Sequence, residues 1–240
     1  MEKKPDNFFT SEEKEKISQT IKQVELTTSG EIVAMVVDQS DTYEEAAKLS
    51  LLGIGIFLGL MIELLIAVYL RIYHHWEDGP LSFWPYWRNF IFQSVQETSL
   101  WRFLLLAISL YIIFTIILIL DPRLKLKLIS TDKMKKRVKE QAIMAFYQNC
   151  LYNTRSQTGI LIFISILERQ VFILGDRGIN QKIPPGFWNT LTQELVSGIR
   201  QGKAGESICR IIEKCGHELA KHFPYLADDK NELSDNLILK

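Results

Sequence analysis

The chain has 240 residues, with 28 Lys plus Arg against 28 Asp plus Glu, so its formal net charge is zero. A balanced charge creates no global field, which argues against partners recruited by charge alone, nucleic acid first among them. Hydrophobic residues make up 47% of the chain, but they concentrate in 51–70 and 101–120 between charge-rich segments. That unevenness is the pattern of a soluble domain with membrane spans inserted.

The N-terminal stretch MEKKPDNFFTSEEKEK is polar and lacks the apolar core of a removable signal peptide, so the first hydrophobic span is expected to serve as the insertion signal. Thr10 followed by Glu13 is a capping-box pattern, in which each side chain satisfies a backbone N–H at a helix start. Ile17, Ile21 and Val24 then recur on one face of the predicted helix. After Gly30, the run Glu31-Ile32-Val33-Ala34-Met35-Val36-Val37 is continuously apolar and β-branched, which predicts a strand buried on both faces. Asp38-Gln39-Ser40-Asp41 predicts a turn, and Tyr43 to Ser50 a helical approach to the first span.

Residues 51–70, LLGIGIFLGLMIELLIAVYL, and 101–120, WRFLLLAISLYIIFTIILIL, are each long enough to cross a hydrocarbon core of about 30 Å as a helix. Glu63 is the one ionisable residue well inside a span. An intramembrane carboxylate calls for a partner; a neutral glutamate bonded to Ser109 or Thr115 is the simplest reading, with burial in a homo-oligomeric bundle or a proton relay as alternatives. The connecting loop 71–100 carries only Arg71 and Arg88, whereas Lys and Arg crowd both flanking segments. The positive-inside rule therefore predicts a multi-pass protein of the cell inner membrane with both termini cytoplasmic and the loop outside. Trp76, Trp84, Tyr86 and Trp87 in the loop suit a membrane interface, which makes a metal site at His74, His75, Glu77 and Asp78 the weaker reading.

Beyond Asp121-Pro122, a helix is predicted from Thr131 through Val138, Ile143 and Phe146. Gly159 to Ile166 reads as a second buried strand and Val171 to Leu174 as its hairpin partner. Pro184-Pro185 opens a helix through Trp188, Leu191, Leu195 and Ile199, ended by Gly202. A last helix carries Ile208, Ile211, Ile212, Cys215 and Leu219 and stops at Pro224. Cys150, Cys209 and Cys215 are an odd set without a Cys-x-x-Cys pair, read as buried thiols in a reducing compartment rather than as disulfides or zinc ligands.

The expected fold class is α/β: a sandwich with a central mixed sheet covered by helices, interrupted by a two-helix transmembrane hairpin. Residues 1–50 and 121–225 are its two halves, 51–70 and 101–120 the spans, 71–100 an extracytoplasmic loop and 226–240 a mobile tail. The first half has one strand with little to pair it, whereas together the halves give at least three strands covered by about four helices, so they are expected to fold together.

Three blocks, Thr28-Ser29-Gly30-Glu31-Ile32-Val33, TGILIFISILERQVFILGDRGI (158–179) and His222-Phe223-Pro224, resemble the TPM domain family in order and spacing. The resemblance implies an α/β sandwich placed beside a membrane. Some members are described as weak acid phosphatases with calcium nearby, others as assembly or repair factors for membrane complexes. The chain departs from many members in having two spans inside the domain rather than an uninterrupted domain exported past the membrane.

Asp38 and Asp41 follow one strand, and Asp176 with Arg177 follows another. If those strand ends share an edge, the three carboxylates would hold a hard cation such as calcium, with Asp176 and Arg177 as catalytic residues and Arg177 clamping a phosphate. The same residues are also ordinary turn formers, with Gly178 supplying a positive φ. His217 and His222 are placed near the negative end of the last helix rather than as ligands. Two functions compete: an accessory protein assisting assembly, stability or repair of a membrane protein complex, with the lipid bilayer and a membrane-protein partner; and a weak metal-assisted phosphatase at the cytoplasmic membrane surface. Transport rests on Glu63 alone.

Overall fold

The computed structural model describes residues 5–76, 99–120, 122–127, 129–225 and 231–240. Residues 1–42 with 131–240 make one compact unit and residues 43–130 a second.

In the first unit, helix α1 (Ser11–Glu25) starts where the pattern predicts. The Thr10 side chain accepts from Glu13 N at 3.2 Å, and Glu13 Oε2 accepts from Thr10 N at 2.8 Å. Strand β1 (Ile32–Val37) is buried at every position. The chain rejoins this unit with helix α5 (Thr131–Gln148), followed by strands β2 (Ile160–Ser165) and β3 (Gln170–Gly175). Three helices then follow: α6 (Arg177–Asn180), α7 (Phe187–Arg200) and α8 (Ala204–His222).

The sheet order is β3-β2-β1-β4, where β4 (Ile238–Leu239) is a short parallel strand on the outer edge of β1. Residues 231–240 are thus seated on the sheet, not mobile as composition suggested, because Ile238 and Leu239 pair with Met35 and Val36. β1 and β2 run parallel in the register Ile32↔Ile160 to Val37↔Ser165, although 122 residues separate Val37 from Ile160. β2 and β3 form an antiparallel hairpin, with Ile160 opposite Gly175 and Ser165 opposite Gln170.

Alternation divides the core. Ile32, Ala34, Val36, Ile160, Ile162 and Ile164 face α1, α7 and α8, while Val33, Met35, Val37, Leu161 and Phe163 face α5 through Val138, Ala142 and Phe146. Burying one such Ile, Leu or Phe side chain contributes about 1.5–3 kcal/mol, so this two-sided layer is the main stabilising element. α8 approaches α1 so closely that a Cβ on Gly216 would lie 2.0 Å from a Val24 methyl.

In the second unit, helix α2 (Glu44–Trp76) extends beyond the expected span at both ends, and helix α3 (Ser99–Leu120) covers the second span. Helix α4 (Pro122–Lys127) follows. α2 and α3 pack antiparallel. A Cβ on Gly55 would meet Ala107 and Tyr111, and one on Gly59 would lie 3.0 Å from the Phe103 ring. Gly55 and Gly59 are four residues apart, one helical turn, so both glycines face α3. Leu51 and Leu118 are buried at one end of the pair. Ser109 donates to Leu106 O and Thr115 to Tyr111 O within their own helix, and Glu63 is half-buried. The loop residues Glu77, Asp78, Trp84, Tyr86 and Trp87 lie outside the described residues.

Candidate functional site

The sheet register decides which carboxylates meet. Asp38 and Asp41 follow the C-terminal end of β1, whereas Asp176 follows β3, whose end lies beside the start of β2 and β1. Six residues at about 3.3 Å each put roughly 20 Å between the two ends. The expected cation site of Asp38, Asp41 and Asp176 is therefore not assembled: antiparallel pairing of β3 carries Asp176 to the opposite end of the sheet. Among the described residues, no group of three or more His, Cys, Asp or Glu is arranged to hold a metal ion. These residues do not fit a shared calcium site.

At the Asp176 end, the carboxylate is a helix cap. Asp176 Oδ1 accepts from Arg177 N at 2.6 Å at the start of α6, and Asp176 Oδ2 is buried with no hydrogen-bond partner among the described residues. The Arg177 side chain is exposed. Gly178 is not at a positive φ; it lies within α6 and is needed for space, since a Cβ there would sit 2.6 Å from Ser156 O and 2.7 Å from Gln157 O.

The three sequence blocks that carry the family resemblance converge at this same end. Thr28 Oγ1 donates to Phe223 O at 2.6 Å, Ser29 N donates to the same carbonyl at 3.1 Å, and Thr158 Oγ1 donates to Ser29 O at 3.1 Å. Thr28 and Pro224 form an isolated antiparallel bridge. Beside them is a small cleft with Ile160, Ile179, Ile183, Trp188, Leu219 and Phe223 as apolar walls and Glu218 and His222 also lining it. The hydrogen bond from Lys221 holds the Glu218 carboxyl below the usual carboxylate range, against the opposing effect of burial; His222 Nε2 lies 3.6 Å from it. His222 therefore sits beside Glu218 in the last turn of α8, near the helix end. The Cys215 thiol, also lining the cleft, is pushed up to about 12 by burial. Cys209 is likewise buried, but Cys150 is exposed, contrary to the reading of all three as buried thiols.

The other end of the sheet holds a hydroxyl–carboxylate relay that the sequence did not reveal. Ser40 Oγ donates to Ser165 Oγ at 2.9 Å, Ser165 Oγ donates to Glu168 Oε2, and Ser40 N donates to Glu168 Oε1 at 2.9 Å. Ser165 and Glu168 are buried, so the relay ties the turn after β1 to the β2–β3 hairpin. Asp41 forms an ion pair with Arg137 at 3.2 Å, and Asp38 N donates to Lys240 O at 3.0 Å. In the sequence Ser40 and Glu168 read as ordinary residues of two separate turns and Ser165 as part of β2, so nothing local joined them.

A four-stranded mixed sheet with helices on both faces, interrupted between β1 and β2, defines the class. The model of the TPM domain family matches residues 125–217, which is less than half of the chain. No curated protein matches it. The fold is similar to the NMR structure of the BA42 protein from the psychrophilic bacterium Bizionia argentinensis, with a TM-score of 0.53 and 20% identity. That likeness covers 96% of this chain and 94% of the other.

Proposed function

We propose that the protein is a membrane-anchored, TPM-like accessory protein that assists assembly, stability or repair of a membrane protein complex. The observation supporting the anchor is the apolar surface of the second unit. Phe103–Leu120 is long and apolar enough to cross a membrane, and only 6% of that segment is buried. Leu105, Ile108, Ile112, Ile116 and Leu120 are exposed along α3, and Phe57, Leu60, Leu64 and Leu65 along α2. Contiguous apolar surface of this extent is costly in water and is relieved by lipid. The apolar stretch of α2, Leu51–Ile66, is shorter. Its close seat on α3 through Gly55 and Gly59 supports reading the two helices as one hairpin in the bilayer. With Lys and Arg concentrated on both flanks, the termini lie in the cytoplasm of an inner-membrane protein.

The test is a mild-detergent pull-down of the full-length protein and of a variant whose α2 and α3 are exchanged for unrelated spans. The reading expects membrane-protein partners that are lost on exchange. An unchanged partner profile would count against it.

One observation favours the phosphatase alternative: the buried Oδ2 of Asp176, within the matched residues, has no partner among the described residues. Asp176→Asn keeps an acceptor for the α6 cap while removing the charge. On this alternative, hydrolysis of a generic phosphoester by purified protein falls sharply in that variant; activity that is absent or unchanged eliminates it.

A further inference from the structure

Residues 231–240 lie along β1 on few hydrogen bonds. Lys240 N donates to Val36 O and Asp38 N to Lys240 O, each at 3.0 Å; Glu232 N donates to Glu31 Oε1 at 3.1 Å; and Arg155 N donates to Glu232 Oε2 at 3.1 Å. Leu237 and Leu239 lean on the core shared with α1 and α8, while Leu233 and Ile238 lean on the core shared with α5. The segment thus straddles the open edge of the sheet, and each of these side chains is only partly buried. An edge element with a two-residue ladder is among the first to open locally.

Its course brings acid against acid. At the end of α1, Glu25 Oε1 accepts from Ile32 N at 2.9 Å, and Glu25 Oε2 is buried with no donor among the described residues. The charged groups facing Glu25 are Glu31 at the start of β1 and Asp235 in the segment itself, whose Oδ1 accepts from Asn231. A buried carboxylate oxygen without a donor, beside a second carboxylate, is a place where a proton is held.

We propose that residues 231–240 are a detachable edge strand whose seat on β1 is latched by a proton between Glu25 and Asp235, so that loss of the proton releases the strand and uncovers the edge of β1. Burial chiefly, then the Glu31 and Asp235 carboxylates, push the Glu25 carboxyl up to about 8, against the lowering effect of the Ile32 N–H. Because the seated state holds the proton more tightly than the released one, seating is strongest at low pH. It weakens as pH rises toward about 8, by at most about tenfold per pH unit, and levels off above.

The test is hydrogen exchange of the full-length protein in lipid nanodiscs from pH 5 to 9, corrected for intrinsic rates and read at the Asp38 and Lys240 amides with the Ile162 amide as the core reference. The latch expects protection at Asp38 and Lys240 to fall with pH while Ile162 stays protected. In Glu25→Gln, which can donate to Asp235 at any pH, protection should become independent of pH. Asp235→Asn, which removes one of the charges that raise Glu25, serves as the second variant and should make the loss smaller and end it at lower pH. Wild-type protection that does not change with pH overturns the proposal, as does a Glu25→Gln or Asp235→Asn profile that overlays the wild type.

Discussion

Glu25 couples ionisation to stability throughout the first unit. Its carboxyl is raised from an ordinary value of 4.5 to about 8, so the native state binds a proton that the unfolded chain gives up in that range. The contribution of Glu25 is therefore full below pH 4.5 and declines as pH rises to about 8. Glu25→Gln should flatten that decline in denaturant titrations across the same pH range; a slope identical to wild type would show that the group titrates normally. The thiols give a second residue-scale expectation. Cys150 is exposed whereas Cys209 and Cys215 are buried, with Cys215 raised to about 12. An aromatic disulfide reagent at pH 8 should modify one thiol quickly in the native protein and all three only after denaturation. Two or more fast thiols would contradict the packing of α8. Little of this was legible beforehand. Asp235, which faces Glu25, follows it by more than 200 positions, and no local pattern carries that contact.

At the scale of elements, hydrophobic period was the readable signal. The capping box fixed the start of α1, and continuous apolar runs located β1, β2 and β3; β1 and β2 are buried at every position, so they cannot alternate, whereas the edge strand β3 buries only Val171 and Ile173. What the pattern could not carry was register. Asp38 and Asp176 both follow strands, and only the antiparallel pairing of β3 reveals that they lie at opposite ends of the sheet. β4 escaped because two paired residues in a polar segment have no period. Close helix contacts were invisible for a similar reason: Gly216 is unremarkable in sequence, yet a Cβ there would meet the Val24 side chain. Val24 is β-branched and cannot easily turn away. Gly216→Ala should therefore lower unfolding stability by about 1–3 kcal/mol despite the better helix propensity of alanine. A neutral or stabilising result in chemical denaturation would mean that α1 and α8 sit further apart.

On the scale of the whole molecule, the sequence holds one α/β unit whose β1 and β2 are neighbours in space but are separated along the chain by an apolar helical insertion. The parallel β1–β2 ladder requires both ends of that insertion to return to one unit, which suits an even number of crossings. On the proposed membrane reading, the Lys and Arg that flank the insertion on both sides would keep both of its ends on one face. The measurement that tests the membrane-anchored account most directly uses the exposed Cys150. Sealed inverted and right-side-out vesicles carrying the full-length protein are treated with a membrane-impermeant maleimide, after alkaline carbonate washing to strip peripheral proteins. The account expects the protein to survive the wash and Cys150 to be labelled only in inverted vesicles. Release by carbonate, or labelling from the outside of right-side-out vesicles, would contradict it.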